Sequence, residues 1–457
     1  MIELQAGDNG QYRPHNFRGL HGDNPHVTYD RGPACTTRFE ALIMKGILMS
    51  GERTRWRSRM GTSRRCLLLS LAVAWHIPPT HLVGCEPQTF IEVRRPKRLN
   101  QAKIPCQRIP LGIVDDYKPS LVLLPGGQLL LSMFSGRRLD NGKLAEQTVL
   151  YRSADGGRSW SPRETPDIAG REPALSVSAA GTVLITAHLL SVDVRNQDGY
   201  THSYLHSSRD AGRTWSTVRI EPKEFRPRTT GLTTRNVLQL ADGRLLLGVS
   251  EHAPKCRSFV LISADDGRTW SQQYPARFAE VPRNYPYTLF GEAHLWQARS
   301  GKLYAILRVG ANNSWPLGGT SDPGNNDQSE RMIVYASSDV GHNWHKIGDM
   351  GSYGQMYMSV LRVGTGRLML TFTQRAIQTP LGVRAVLGRE TLDGFEFDLK
   401  HDQIMIDTKT PVGVSSGGGF GPTVRLADGT LVTAYTYRDA QKHKHAEVVR
   451  WRLPEWK

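Results

Sequence analysis

The sequence predicts an all-β fold built from six repeated units between residues 117 and 453. One observation is a phrase of two apolar runs around a glycine, which recurs six times. Glycine accepts a positive φ, so a glycine between two apolar runs is typical of a tight β-hairpin. The other observation is a second phrase, ending in tryptophan, that follows most of these turns. The turn glycines are Gly127, Gly181, Gly243, Gly301, Gly366 and Gly429.

The tryptophan phrase has the pattern Ser-x-Asp-x-Gly-x-Ser/Thr/Asn-Trp. It occupies residues 153–160, 208–215, 263–270 and 337–344, and a remnant surrounds Asp393 and Gly394. The aspartate can accept hydrogen bonds from backbone amides of its own turn, while the glycine supplies a positive φ. We expect the tryptophan to be buried against the core. The phrase is therefore interpreted as a structural element of each hairpin.

Composition and charge limit the class of function. The net charge is +16, but residues 1–110 hold 17 Lys and Arg against 8 Asp and Glu. The rest of the chain is only mildly basic, which argues against nucleic acid as the partner and suits an anionic small substrate. The five cysteines are scattered without disulfide or metal-site spacing, and no cofactor motif is visible.

The first quarter of the chain reads as a targeting region. Residues 1–59 form a leader without strand or helix periodicity, and residues 60–85 resemble an export signal. Arg64 and Arg65 precede an apolar run as in a twin-arginine signal, and residues 82–85 resemble a lipoprotein box ending at Cys85. Two alternatives stay open, a coincidental cysteine and a true start at Met60. We expect an exported protein, periplasmic or at the cell surface, with Cys85 as a candidate lipid anchor. Residues 86–106 are interpreted as a linker.

The tryptophan phrases resemble the Asp-boxes of the sialidase (neuraminidase) superfamily. This resemblance covers residues 117–453 and implies a six-bladed β-propeller with four antiparallel strands per blade. The six glycine turns give the same blade count. The propeller is assigned to residues 107–457, and the apolar segment 107–114 is predicted to close the ring by pairing with the last strand, 445–453.

Antiparallel order places the glycine turns and the Asp-boxes on one face of such a propeller. The opposite face collects the starts of the first strands and the ends of the second strands, so a ligand site is expected there. The first-strand starts carry Lys118, Arg171, Glu172, Arg235, Asn236, Glu292, His294, Tyr357 and Phe420. The second-strand ends carry Arg137, Arg138, Asp140, His188, Glu251, His252, Arg308, Gln374, Arg375 and Tyr437.

The resemblance implies three catalytic parts on this face. Arginines pair with the carboxylate of the sugar, a Glu–Tyr pair supplies the nucleophile, and an Asp serves as the acid. We assign Glu292 as the base, Tyr357 as the nucleophile and Asp140 as the acid. The predicted substrate-binding residues are Lys118, Arg138, Arg171, Arg308, Arg375, His294 and Tyr437.

The chain also departs from the family pattern. Lys118 stands where the first arginine is expected, Tyr357 lies where the third is expected, and Phe420 lies where the nucleophilic tyrosine would stand. An Arg-Ile-Pro sequence at 108–110 is assigned to the closing strand. These departures put sialic acid in doubt without affecting the fold.

Three functions therefore remain open. The leading hypothesis is an exo-acting glycoside hydrolase of sialidase type, acting on sialic acid or a related acidic sugar. An alternative is a propeller lyase or hydrolase acting on another acidic polysaccharide, since His188, His252 and His294 could serve elimination. The third is a glycan-binding propeller without catalysis, because one fold hosts many functions.

Overall fold

The structure is a computed structural model of the 457-residue chain. It describes residues 89–168, 170–220, 231–251, 257–280, 287–311, 331–375, 380–412, 414 and 419–456. The predicted leader, the export signal, Cys85 and His252 lie outside these residues. Regular structure in the described part is entirely β-strand. None of the described residues forms a helix with the length and apolar character needed to cross a membrane.

Two strands precede the repeats, β1 (Phe90–Arg94) and β2 (Lys103–Leu111). The first repeat forms a three-stranded sheet of β3 (Asp116–Leu123), β4 (Leu129–Arg138) and β5 (Leu144–Ser153). Each pair of neighbouring strands is antiparallel. The first repeat therefore keeps the hairpin order that the sequence predicts.

Each of the next three repeats forms a four-stranded antiparallel sheet in chain order. Their strands are β6 (Arg171–Val177), β7 (Val183–Leu189), β8 (His202–Ser208) and β9 (Ser216–Ile220); β10 (Gly231–Gln239), β11 (Leu245–Glu251), β12 (Arg257–Ser263) and β13 (Ser271–Glu280); and β14 (Tyr287–Gln297), β15 (Leu303–Ala311), β16 (Arg331–Ser337) and β17 (His345–Met350).

The last two repeats share one ten-stranded sheet with the N-terminal strands. Its order is β18-β19-β20-β22-β1-β2-β25-β24-β23, and β21 pairs with β20. The strands of these repeats are β18 (Gln355–Gly364), β19 (Arg367–Gln374), β20 (Gly382–Glu390), β21 (Phe395–Phe397), β22 (Gln403–Met405), β23 (Thr423–Arg425), β24 (Leu431–Arg438) and β25 (Lys444–Trp451).

Strand β2 pairs with β25, the last strand of the chain. Arg108 lies opposite Val449 and Pro110 lies opposite Glu447, so the Arg-Ile-Pro sequence belongs to this pairing, as expected. Strand β1 pairs with β2 on one side and with β22 on the other. Residues 90–94, within the predicted linker 86–106, thus form a paired strand. The physical reason is alternation, since Ile91 and Val93 are buried between more exposed neighbours.

The predicted hairpin turns and Asp-box contacts are confirmed. All six turn glycines have positive φ, between +65° and +91°. In the first box, Asp155 Oδ1 accepts a 2.9 Å hydrogen bond from the Ser159 amide, and Ser153 Oγ accepts one of 2.8 Å from the Gly157 amide. The four box tryptophans are only partly exposed and pack against the apolar clusters of the core, as expected.

The core lies between consecutive sheets. The strands are buried on both faces, and alternate residues contact different neighbours. Leu130 of β4 packs with Ile185 of β7, whereas Leu131 packs with Val432 of β24 and Val448 of β25. Similar apolar clusters join each of the other consecutive pairs of sheets. The first strands of the sheets also contact one another in succession, and β23 contacts β3.

Candidate active site

An irregularity recurs in the first strand of five repeats. The register of β3, β6, β10, β14 and β18 against its partner shifts there, as in a β-bulge. Four residues within these shifts have positive φ, namely Lys118 (56°), Glu172 (54°), Glu292 (50°) and Tyr357 (57°). Such a φ is strained for residues with a side chain, and bulges next to active sites redirect side chains. Phe420, before β23, also has a positive φ of 80°.

Glu292 is the acceptor for two guanidinium groups. Arg308 Nη1, from the same hairpin, donates a 2.9 Å hydrogen bond to Glu292 Oε1. Arg235 Nη2, from the neighbouring sheet, donates one of 2.7 Å to Glu292 Oε2. Arg308 Nη1 also donates to the hydroxyl of Tyr357. The predicted Glu–Tyr pair is therefore bridged by an arginine.

A second carboxylate, Glu172, lies beside this group. Its Oε1 accepts a hydrogen bond from Lys118 Nζ, and its Oε2 is 3.6 Å from Arg235 Nη2. The Nε of Arg171 is 3.7 Å from Glu172 Oε1. Arg235 thus links the two carboxylates, and the charges form one network across four sheets.

Two aromatic rings form the wall next to the network. The ring centres of Tyr357 and Phe420 are 4.3 Å apart. The guanidinium carbon of Arg235 lies 4.0 Å from the Tyr357 ring centre and 4.3 Å from that of Phe420. Arg375 lies 4.8 Å from the Tyr357 ring centre. Cations over aromatic faces are attracted by the ring quadrupole, so the two rings help to hold these arginines in place.

Burial and neighbouring charges shift the pKa values of the two carboxyl groups in opposite directions. Burial alone would raise the pKa of Glu292, but Arg308 and Arg235 outweigh it and hold that pKa below its ordinary value. The pKa of Glu172 is likewise held well below its usual range, because Lys118 and Arg235 outweigh burial. Burial raises the pKa of the Tyr357 phenol. At neutral pH the site therefore holds two carboxylates and a neutral phenol.

The basic members respond to burial as well. Burial lowers the pKa of Lys118 to about 8, despite the opposing effect of Glu172. Burial also lowers the pKa of His188 and of His294 to about 4, so both imidazoles are neutral at neutral pH. A cavity of about 140 Å³ lies against the network. Its lining includes Lys118, Glu172, Arg235, His294, Tyr357 and Phe420.

Six of the ten predicted site residues lie together in or against the network. They are Lys118, Arg171, Glu292, Arg308, Tyr357 and Arg375. His294 lines the cavity, but its Nε2 accepts a 3.1 Å hydrogen bond from the Val360 amide and thereby joins β14 to β18. Its position is explained by this structural contact.

The other three predicted residues lie elsewhere. Asp140 is exposed in the turn between β4 and β5, and within the described part of the chain no ion pair or hydrogen bond joins it to the network. Arg138 is exposed and donates a 2.8 Å hydrogen bond to the Gly142 carbonyl. Tyr437 stacks on His445 with ring centres 5.3 Å apart. Their assigned roles remain predictions.

Sequence reasoning assigned no role to Glu172, Arg235 or Glu146. Glu172 and Arg235 belong to the first-strand starts, so the repeat pattern was a sufficient signal for both. Glu146 is the third residue of β5, the third strand of its repeat, where no ligand site was expected, and its Oε1 is 3.7 Å from Arg171 Nε. Arg171 Nη2 also donates a 3.3 Å hydrogen bond to the hydroxyl of Tyr117. Among the described residues, no three His, Cys, Asp or Glu side chains are grouped so as to hold a metal ion.

One family model and several solved structures resemble this chain. A BNR repeat-like domain matches residues 170–326. A protein of unknown function from Dyadobacter fermentans is 18% identical, with a TM-score of 0.55 over 76% of this chain and 98% of its own. No curated protein sequence matches the chain.

Two enzymes are also among the similar structures. The NanB sialidase of Streptococcus pneumoniae is 12% identical, with a TM-score of 0.52 over 76% of this chain and 70% of its own. The α-L-arabinanase of Penicillium chrysogenum is 17% identical, with a TM-score of 0.50 over 75% of this chain and 98% of its own. At these identities the likeness is one of fold.

Proposed function

We propose that this chain, which belongs to the sialidase or BNR-repeat superfamily, is an exo-acting glycoside hydrolase that removes a terminal acidic sugar from glycans. One observation carries the proposal. Five cationic side chains and three carboxylates surround a buried tyrosine, an excess of two positive charges when all are ionised. Such an excess favours an anionic ligand, and guanidinium groups pair bidentately with a carboxylate.

The sugar carboxylate is proposed to bind between Arg308 and Arg235. Both guanidinium groups are engaged with Glu292. A substrate carboxylate that takes over one of them removes a positive charge from Glu292, which raises the pKa of that carboxyl. Glu292 then becomes a better acceptor for the phenol proton of Tyr357. Substrate binding would in this way prepare the base.

Tyr357 is proposed as the nucleophile. Its oxygen attacks the anomeric carbon, its proton passes to Glu292, and the bond to the leaving oxygen breaks. The neutral phenol suits this role because an anionic nucleophile would repel the sugar carboxylate. Phe420 packs on the Tyr357 ring and fixes its plane. Lys118 and Arg235 are proposed to stand in for the missing arginines and so to select between sialic acid and a related acidic sugar.

The six repeats are proposed to close into a six-bladed propeller. This rests on the apolar clusters between consecutive sheets, on the contact of β23 with β3, and on the pairing of β2 with β25. A crystal structure with a seventh blade, or with β2 unpaired, would reject this closure.

We also propose that the protein is exported and anchored through Cys85. The double arginine and the lipoprotein-like box support this. Intact mass measured on protein made in a bacterial host with both export systems tests it. A chain that keeps Met1, or a product without added lipid mass, would contradict it.

The function is tested with fluorogenic glycosides of N-acetylneuraminic acid, of other nonulosonic acids and of glucuronic acid. We expect release of the fluorophore from at least one of them by the wild type. Arg308→Ala should lose most of this activity, and Arg244→Ala, which removes an exposed ion pair with Asp242, should keep it. Binding of an acidic glycan without any turnover would favour the non-catalytic alternative.

A second candidate function is elimination on a uronate-containing polysaccharide. The observation that favours it is the environment of His188. This imidazole is buried, is neutral at pH 7, and interacts electrostatically with Glu172 and Arg171. A neutral imidazole can accept the proton that elimination removes, while Arg171 neutralises the uronate. An ultraviolet-absorbing unsaturated product, abolished by His188→Asn, would establish elimination in place of hydrolysis.

A further inference from the structure

Glu146 is a buried carboxyl group with an unsatisfied oxygen. Its exposed fraction is 4%, and its Oε2 has no hydrogen-bond partner among the described residues. The backbone of Glu146 is fixed, because its amide donates to Asp193 Oδ2 at 3.3 Å. A buried carboxyl that is only partly satisfied is costly and is uncommon without a function.

The residue opposite Glu146 makes room for this carboxyl. Gly136 is its cross-strand partner on β4. A Cβ at position 136 would lie 3.0 Å from Glu146 Cγ and 3.3 Å from its Oε1, which is closer than ordinary contact. A side chain at position 136 would therefore force the Glu146 side chain to shift.

Glu146 shares one guanidinium with the central network. Arg171 Nε is 3.7 Å from Glu146 Oε1 and also 3.7 Å from Glu172 Oε1. This Nε has no hydrogen-bond partner of its own in the described residues. Two carboxyl groups thus flank the Arg171 Nε, which is hydrogen-bonded to neither of them.

The two carboxyl groups differ in protonation. Burial raises the pKa of Glu146, and the charges of Asp193 and Glu172 raise it further, against the lowering effects of Arg171 and Lys118. The pKa of Glu172 is held low. Neighbouring carboxyl groups whose environments separate their pKa values are the arrangement in which one serves as an acid.

We propose that Glu146 is the proton donor of the site and that its carboxylic acid protonates the oxygen of the leaving group. The inference rests on the proposed function. As Tyr357 bonds to the anomeric carbon, the glycosidic bond breaks, its electron pair stays on the leaving oxygen, and that oxygen takes the proton of Glu146. The resulting carboxylate pairs with Arg171 Nε. It then takes a proton from the water that attacks the anomeric carbon, and Glu292 returns its proton to the departing Tyr357 oxygen.

This role differs from the one predicted for Asp140. An exposed side chain in a turn meets water, whereas Glu146 is shielded and beside the network, where a proton can be held for transfer. The two residues are six positions apart on one hairpin, so each is the matched control for the other.

The experiment compares two substrates with one acidic sugar. One is the 4-methylumbelliferyl glycoside, whose leaving group needs little protonation, and the other is the methyl glycoside, whose leaving group needs much. Glu146→Gln should lower kcat/KM for the methyl glycoside by about 10²–10⁴-fold and for the aryl glycoside by less than about tenfold. It should also remove the basic limb of the pH profile for kcat/KM. Asp140→Asn should change both substrates equally.

Three outcomes separate the hypotheses. If Glu146→Gln matches the wild type on both substrates, or if Asp140→Asn shows the dependence on the leaving group, the proposal is overturned while the proposed function stands. If the wild type cleaves neither glycoside, the proposed function is overturned and this inference with it. Should Glu146→Gln fail to fold, Glu146→Asp keeps the acid but shortens its reach, and the same selective loss on the methyl glycoside is expected.

Discussion

Arg235 on β10 donates a 2.7 Å hydrogen bond to Glu292 on β14, so two neighbouring sheets meet through a shielded ion pair. Arg308 engages the other carboxylate oxygen at 2.9 Å. Because both oxygens are occupied, a ligand carboxylate can reach either guanidinium only by competing with Glu292. In the unliganded site Glu292 thus pairs with both guanidinium groups, and a ligand carboxylate that binds there must displace it from one of them.

Arg308→Ala should lower kcat/KM. The corresponding loss of transition-state stabilisation should be on the order of 2–5 kcal/mol, the range for breaking a buried, hydrogen-bonded charge pair. The change removes a donor to Glu292 and the contact with the Tyr357 hydroxyl. Initial rates on the cleaved fluorogenic glycoside measure it. Arg244→Ala is the control, since an exposed pair contributes roughly 0–1 kcal/mol. Equal kinetics for both variants would exclude Arg308 from the site.

Glu292→Gln should lower kcat by about 10²–10⁴-fold and leave KM nearly unchanged, because an amide occupies the same space but cannot accept the phenol proton. Steady-state kinetics on the same glycoside measure both constants. The matched control is Glu390→Gln, whose carboxylate pairs with Arg362 at 2.6 Å outside the network. Full turnover by Glu292→Gln would reject the tyrosine mechanism.

The parts of the fold that depend on local geometry could be predicted from the sequence. A turn glycine or an Asp-box makes its contacts within about eight residues, so the pattern of residue types is enough. Strand β1 was missed because Phe90–Arg94 is short and has no repeat behind it. Its partner β22 lies more than 300 residues further along the chain, and a pairing of that kind leaves no local pattern.

The same distinction holds for the site. Lys118, Glu292 and Tyr357 could be predicted because each lies on the first strand of its repeat, ahead of the turn glycine. Glu146 lies within β5 and meets Arg171 only because β5 and β6 pack together, which strand spacing alone does not reveal. The bridge from Arg308 to Tyr357 likewise depends on side-chain packing between two sheets.

Trp270→Ala should lower the free energy of unfolding by about 3 kcal/mol, the low end for truncation of a large aromatic residue, since the ring is half-buried. Trp270 packs on the apolar cluster between β7 and β11. Urea denaturation followed by circular dichroism measures the change. Val218→Ala, at an exposed position, should stay within about 0.5 kcal/mol of the wild type. A similar loss in both variants would show that the box tryptophan contributes little.

Ile91→Ala should lower the free energy of unfolding by about 2–5 kcal/mol, because the side chain is 0% exposed between β22 and β2. Glu92→Ala, on the exposed face of the same strand, should cost much less. Thermal unfolding of both variants measures the difference. An unchanged Ile91→Ala variant would mean that residues 90–94 behave as the linker that the sequence suggested.

Acid should destabilise the protein through His294. Burial lowers the folded-state pKa of His294 to about 4, whereas an unfolded histidine titrates near about 6.5. Between these values the unfolded chain binds a proton that the folded chain does not, so the free energy of unfolding falls as the pH falls, by at most about 1.4 kcal/mol per pH unit. His294→Gln can still accept the hydrogen bond from the Val360 amide but cannot titrate, so its stability should fall less steeply over this window.

Urea denaturation at several pH values measures both slopes, and their difference isolates His294 from Asp407, whose pKa burial raises to about 6. Above about pH 7, His294 is neutral in both the folded and the unfolded chain. The stability difference between the variant and the wild type measured there is therefore independent of His294 titration and serves as the reference. Parallel curves for the two proteins would show that His294 is not buried as a neutral imidazole.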